Sequence, residues 1–179
     1  MSESQEVTIK TEPGFFDYTL AFLVLRLWLA VRTILTGIEK FGAYKTIQKP
    51  LIDSVTGMED PSGAMVDVKV KAYAFTNYSG IPSSLKDKFA NEPILPHPML
   101  GAFDRVLGPA LLLTGLMLLL GVGTRVSLFA QGLIYVELTA GLILIHQDDG
   151  VAWLGIHVAL VAIALVLAKH NRFAILKKW

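Results

Sequence analysis

The chain has 179 residues, of which 53% are hydrophobic and 17% charged, and it contains no cysteine. Soluble domains usually carry about 25% charged residues, so this low charge and a mean hydropathy of +0.54 favour a membrane protein. The net charge of +1 gives no indication of a nucleic-acid partner, and the lack of cysteine excludes disulfides, thiolate metal sites and dithiol redox chemistry within this chain.

The N-terminal segment 1–14, "MSESQEVTIKTEPG", is polar and acidic. A secretory signal begins with a basic region followed by a short apolar stretch, and this chain shows neither feature. The first apolar run is also longer than a signal sequence requires and is interrupted by arginines. We therefore expect this run to be retained as a membrane span.

Four apolar runs of about 20 residues are long enough to cross a hydrocarbon core of about 30 Å. Backbone groups inside lipid must bond within their own segment, so each run is predicted to be a helix. The predicted spans cover residues 16–41, 103–122, 126–145 and 151–168. The tight connections 122–125 and 146–150 make neighbouring helices antiparallel. The sequence therefore predicts an all-α membrane protein, one membrane domain over 1–179 that forms a four-helix antiparallel bundle.

The first two spans are separated by a polar loop of roughly 60 residues, which we place outside the membrane as a cap over 43–102. Within it, "SSLKDKFANEP" predicts a short helix ended by Pro93, and the alternation in "VDVKVKAYAF" predicts a short strand. Aromatic residues such as Tyr73 and Phe75 could pack in an ordered cap. A loop without order is the alternative.

The orientation follows from the distribution of basic residues. With four spans, both termini and the 122–125 turn share one side, where Arg125, Lys169 and Arg172 lie. The 146–150 turn has two aspartates and no basic residue. We therefore expect both termini in the cytoplasm and a multi-pass protein.

Four polar side chains fall at similar heights near the middle of the predicted spans. They are Arg26 and Arg32 in the first span, Glu137 in the third and His157 in the fourth. A charge at the centre of a bilayer costs roughly 2.5–3.5 kcal/mol, so we expect these groups to face the interior and Glu137 to pair with Arg26 or Arg32. Such pairs can form a functional site or simply fix helix register, and His157 can equally be a core histidine.

A second polar layer is predicted where the first span ends and the second begins. Glu39 and Lys40 lie at the first end, and Asp104 and Arg105 at the second, so ion pairs at an outer mouth are expected. The chain has no dinucleotide-binding glycine motif, P-loop, zinc-protease motif or nucleophile elbow, and no metal site is predicted. Any redox chemistry therefore requires a membrane-soluble cofactor such as a quinone, or a partner subunit.

Three stretches resemble the DoxX family, which includes the DoxD-like subunit of thiosulfate:quinone oxidoreductase. "LRLWLAVRTILTGIEKFG" resembles the first helix of that family, and "TGLMLLLGVGTRVSLFAQGLI" resembles its glycine-rich helix followed by Gly-x-x-Thr-Arg. The tail "NRFAIL" resembles the Asn-Arg-aromatic ending. The resemblance covers the four predicted helices, about two-thirds of the chain, and the long loop 42–102 departs from it. It implies a four-helix bundle in a prokaryotic inner membrane.

Two functions follow from this resemblance. In the first, the chain is an accessory or structural subunit of a membrane redox or energy-converting complex, with lipid and other subunits as partners. In the second, it is the quinone-reducing membrane subunit of a thiosulfate:quinone-type oxidoreductase. There, Arg26, Arg32, Lys40 or Arg105 would attract the anion, and Glu137 or His157 would handle the protons of the quinone.

Overall fold

The computed structural model describes residues 14–52, 56–60 and 62–175. The N-terminal tail before Gly14 and the last four residues lie outside the described residues. The elements in chain order are α1 (Phe15–Glu39), β1 (Gly42–Pro50), β2 (Met65–Tyr73), α2 (Ser83–Ala90), α3 (His97–Leu120), α4 (Thr124–Leu144) and α5 (Asp148–Leu167). Short 3-10 turns follow β2 and α5.

Helices α1, α3, α4 and α5 are long and apolar enough to cross a membrane, and they correspond to the four predicted spans. Their ends differ from the prediction by one to three residues, except that α3 starts at His97 rather than at 103. Pro98 occupies the first turn of α3, where its missing N–H does no harm and its fixed φ suits a helix. Asp104 and Arg105 therefore lie within the helix and not at its opening.

The fold is mostly helical, as predicted, but it is not all-α, because β1 and β2 pair as an antiparallel two-stranded sheet. The strand predicted from "VDVKVKAYAF" is confirmed as β2, and the predicted short helix is confirmed as α2. The partner strand β1, "GAYKTIQKP", was not predicted, since its polar residues give no regular alternation. The extended conformation of β1 is stabilised by its pairing with β2, and this pairing joins residues that are distant in the sequence.

The chain divides into two compact units. The described residues of unit 1 fall within Met1–Val31, Thr114–Ile143 and Gln147–Trp179, and those of unit 2 within Arg32–Leu113 and Leu144–His146. In unit 1, buried side chains from all four long helices form one cluster, which contains Phe22 and Leu29, Leu118, Leu128 and Tyr135, and Val161 and Ala164. This cluster is the apolar core of the unit.

In unit 2, the side chain of Tyr78 is inserted into the hydrogen-bond ladder of α3. Its hydroxyl is 2.5 Å from the Asp104 carbonyl and 3.1 Å from the Arg105 carbonyl, and it accepts the Gly108 N–H at 3.1 Å. Pro109 follows, and it cannot donate to the carbonyl four residues earlier, which is that of Arg105. The tyrosine hydroxyl thus satisfies backbone groups that this part of the helix leaves unpaired.

Tyr78→Phe is expected to lower the free energy of unfolding by about 1–3 kcal/mol, because backbone groups of α3 lose their hydrogen-bond partner. Denaturant unfolding followed by circular dichroism measures the change. Tyr44→Phe is the matched control, since Tyr44 is 70% exposed, and it should stay within about 0.5 kcal/mol of the wild type. Equal stability of the two variants would contradict the bridging role of Tyr78.

Candidate functional site

Arg26 lies at the centre of a buried polar cluster in unit 1, where only 4% of the residue is exposed. Its Nη1 donates to Oδ1 of Asn171 and to the carbonyl of Phe173, both at 2.8 Å. Asn171 Nδ2 in turn donates to Oγ1 of Thr124 at 2.8 Å. The first turn of α4 and the segment after α5 are therefore both tied to the middle of α1.

The predicted pairing of Glu137 with Arg26 is wrong. Arg26 bonds to the C-terminal segment, whereas the side chain of Glu137 is exposed on α4. The acceptors of Arg26 are neutral oxygens of Asn171 and Phe173 in the segment after α5, and not the carboxylate that was expected. Arg26 thus explains the "NRF" stretch as a docked tail, while its buried Nε has no hydrogen-bond partner among the described residues.

Gly121 makes room for this docked tail. It follows the last residue of α3 and has φ +72°, a backbone conformation that other residues rarely adopt. A Cβ at this position would lie 2.8 Å from Cα of Ala174 and 2.9 Å from Nη1 of Arg26. Glycine at 121 therefore serves both the turn and the close approach of the tail.

Helices α4 and α5 pack antiparallel in a consistent register. The rings of Tyr135 and His157 meet edge to face with centroids 5.5 Å apart. One turn away, a Cβ on Gly132 would lie 3.3 Å from a methyl group of Val161. This register places Gln131 about one helical turn, or about 6 Å along the axis, from the level of His157.

Gln131 is fully buried, and neither its amide nitrogen nor its amide oxygen has a hydrogen-bond partner within the described ranges. It lies on the same face of α4 as Leu128 and Tyr135, which belong to the apolar core. A buried amide that bonds to no protein group costs free energy, so this position points to a ligand or another polar occupant.

The tautomer of His157 follows from its one hydrogen bond. Its Nδ1 lies 2.8 Å from the carbonyl of Trp153, and a carbonyl only accepts, so Nδ1 carries the proton. The other nitrogen, Nε2, is then an acceptor in the neutral ring. It is buried and finds no partner in the part of the chain that the structure describes. His157 can therefore accept an O–H group, and in its cationic form it can donate to a carbonyl oxygen.

Two of the charges predicted to lie inside the protein are on its outside. Glu137 is exposed on α4, and Arg32 is exposed on α1, where its backbone carbonyl accepts the hydroxyl of Thr36 at 2.8 Å. Both belong to helices that are long and apolar enough to cross a membrane. The expectation that these side chains face the interior is therefore wrong for Arg32 and Glu137, and correct only for Arg26 and the buried His157.

The second polar layer exists in unit 2, but its partners differ from those predicted. Glu39 forms an ion pair with Lys71 and accepts the Tyr73 hydroxyl at 2.9 Å. Asp104 pairs with Lys86 at 2.8 Å and accepts the Ile81 N–H at 2.5 Å. The direct ion pairs are thus made with residues of β2 and α2, whereas Lys40 and Asp104, two members of the predicted layer, interact electrostatically without forming a direct ion pair.

Lys40 and Arg105, the two remaining members of this layer, differ in burial. Burial lowers the pKa of the Lys40 ammonium group, and the carboxylate of Asp104 partly offsets this effect. The hydrogen bond to Glu39 raises the pKa of Lys71. The Arg105 side chain is exposed, and only its carbonyl takes part, as the acceptor of Tyr78.

Sequence reasoning missed Gln131 and Asn171. Gln131 is the one side-chain amide within α4, and an amide in an apolar run is a signal that could have been used. Asn171 gives no such signal, because its importance depends on a partner 145 residues earlier in the chain.

No family model matches this chain, and comparisons with curated proteins and with solved structures gave no match. The described residues contain no group of three or more His, Asp or Glu side chains placed to hold a metal ion. The DoxX resemblance thus stays a prediction based on the three stretches of sequence, and the geometry above carries the functional argument.

Proposed function

We propose that this chain is a DoxX-like integral membrane subunit that serves as an accessory or structural component of a membrane redox or energy-converting complex. In this proposal the four long helices form an antiparallel bundle in a prokaryotic inner membrane. Both termini lie in the cytoplasm, and the segment between α1 and α3 lies outside the membrane. The common core cluster of unit 1 and the tight turns after α3 and α4 support the bundle.

The observation that carries the accessory role is the exposed carboxyl group of Glu137. It lies about 20 Å along α4 from Thr124 and about 10 Å from Leu144, well inside the stretch that crosses the membrane. A charged group at the centre of a bilayer costs roughly 2.5–3.5 kcal/mol, so ionised groups within spans face protein or water and seldom lipid. A partner subunit that covers this face removes the cost.

The surroundings of Glu137 fit a covered face. Phe129, Leu133 and Val136 lie on the same side of α4 and are 60%, 49% and 51% exposed. Large apolar side chains around one carboxylate match a protein interface with a buried polar contact. The partner helix would present a donor, such as a basic or hydroxyl side chain, opposite Glu137.

Labelling with a hydrophobic carbodiimide tests the accessory role, because this reagent modifies carboxyl groups that are accessible from lipid. In native membranes we expect Glu137 to be protected at least tenfold relative to the purified chain in detergent, from which the partner has been removed. Mass spectrometry of the Glu137 peptide measures the modification, and Glu137→Gln is the control for specificity. The same labelling rate in both preparations would contradict a covering partner.

The buried, unpartnered polar atoms of Gln131 on α4 and His157 on α5 favour a second candidate, the quinone-reducing subunit of a thiosulfate:quinone-type oxidoreductase. A quinone head group offers carbonyl oxygens to the Gln131 amide and, once reduced, a hydroxyl group to Nε2 of His157. These residues would bind and orient the ring and exchange its proton. The electrons would come from a cofactor-bearing partner subunit, so this role is compatible with membership of a larger complex.

A further inference from the structure

The hairpin of β1 and β2 has one apolar and one polar face. In an antiparallel ladder, directly opposite residues lie on the same side of the sheet, and successive residues alternate. The register pairs Ile47 with Val68, and it pairs Thr46 with Lys69 on the other face. The apolar face consists of Ala43, Lys45, Ile47, Lys49, Val66, Val68, Val70 and Ala72.

The apolar face is covered unevenly within the described structure. Ile47 is 40% exposed and Val66, its diagonal neighbour across the ladder, is 39% exposed, whereas Val68 and Val70 are partly buried. A two-stranded hairpin alone is marginally stable in water and requires a surface against which to pack. This face therefore requires an occupant.

The base of the hairpin is fixed beside the end of a membrane-crossing helix. Gly42, the first residue of β1, comes three residues after Glu39, the last residue of α1. Glu39 also holds β2 through its ion pair with Lys71 and its hydrogen bond from Tyr73. Ile47 is eight residues from Glu39, so the chain can carry it at most about 28 Å from the helix end. Lipid head groups are thus within reach of the apolar face.

The positive charge of the hairpin is confined to its strands. They carry four lysines and one aspartate, whereas the connecting segment 51–64 adds three acidic residues, so residues 42–73 have no net charge. Lys71 is paired with Glu39, but Lys45 and Lys49 flank Ile47 on the apolar face and form no ion pair among the described residues. Long lysine side chains can place their apolar stems against lipid chains while their ammonium groups reach phosphates.

We propose that the face formed by Ile47, Val66, Val68 and Val70, with Lys45 and Lys49, docks on anionic lipid head groups of the membrane that the chain spans. The valine and isoleucine side chains enter the boundary between head groups and acyl chains, and the two lysines contact lipid phosphates. The surface recognises lipid phosphate and hydrocarbon together, so it is distinct from the Glu137 face and independent of the proposed redox role.

The absence of cysteine allows a clean test, because any introduced cysteine is the one thiol of the chain. The full-length protein with Ile47→Cys is labelled with an environment-sensitive fluorophore and reconstituted into vesicles containing phosphatidylglycerol. Thr46→Cys is the matched control on the opposite face, and Val68→Cys is a second position on the apolar face. We expect blue-shifted emission and quenching by brominated lipid at 47 and 68 but not at 46.

The charge dependence supplies the second half of the test. Each lysine near an anionic surface changes the docking equilibrium constant roughly fivefold, so Lys45→Gln with Lys49→Gln should lower the ratio of docked to undocked hairpin about 25-fold. Docking should be weakened to a similar degree in vesicles made of phosphatidylcholine alone, and when salt is added to vesicles that contain phosphatidylglycerol. Equal emission at 46 and 47 would overturn the proposal. Shielding of residue 47 that does not depend on anionic lipid would also overturn it. Shielding that disappears when vesicles hold on average less than one chain would identify a second copy of the chain as the occupant and would overturn it too.

Discussion

Gln131→Met is expected to stabilise the protein by about 2 kcal/mol in detergent, although it removes a polar residue from the centre of unit 1. The two amide atoms are buried without a protein partner, and each such group costs about 1–3 kcal/mol. Methionine has a similar length and no strong hydrogen-bonding atom, so it fills the same space among apolar neighbours. Denaturant unfolding of the purified chain measures the gain.

The control for this prediction is Gln48→Met, which makes the same chemical change on the exposed strand β1. We expect it to change the free energy of unfolding by less than about 0.5 kcal/mol. A loss of stability in Gln131→Met would contradict the prediction, because it would show that the amide of Gln131 already has a favourable partner.

The same pair of proteins separates the quinone role from a purely structural one. A ligand at 100 times its dissociation constant stabilises its protein by about 2.7 kcal/mol, so a short-chain quinone analogue should raise the melting temperature of the wild type. Gln131→Met should show little or no shift, although it is the more stable protein. Equal shifts in the two proteins, or none in either, would contradict a quinone site at Gln131 and His157.

Gly121→Ala should destabilise the protein strongly and release the C-terminal segment. Two effects combine here. A side chain in the left-handed conformation costs roughly 1–2 kcal/mol, and forcing a methyl group against Ala174 and Arg26 costs about 1–3 kcal/mol more. The unfolding free energy and the rate of proteolysis after Ala168 measure the two consequences.

Gly123→Ala is the matched control for Gly121→Ala. Gly123 also has a positive φ, +54°, but a Cβ there would meet the flexible tip of Met117 at 3.2 Å rather than backbone. Both variants place a side chain in the left-handed backbone conformation, so the difference between their unfolding free energies reports the docking of the C-terminal segment alone. Equal destabilisation, or an unchanged rate of proteolysis in Gly121→Ala, would contradict the tail contact seen around Arg26.

The candidate site shows where sequence reasoning succeeded and where it did not. Burial of Arg26 and His157 was expected from the cost of polar groups in apolar surroundings, and both are buried. The same argument was wrong for Arg32 and Glu137, which are exposed. It assumes that one chain satisfies all of its own charges, whereas under the proposed function a partner subunit would cover Glu137.

The sequence by itself determined the four long helices, because hydrophobic length is a local property and a backbone in lipid has no alternative to the helix. Only the tertiary structure decided which groups meet. Arg26 finds its acceptors 145 and 147 residues away, Tyr78 enters the helix ladder beside Pro109, and β1 exists because β2 pairs with it. Such contacts depend on how distant segments pack, and the local pattern of polar and apolar residues carries no record of that packing.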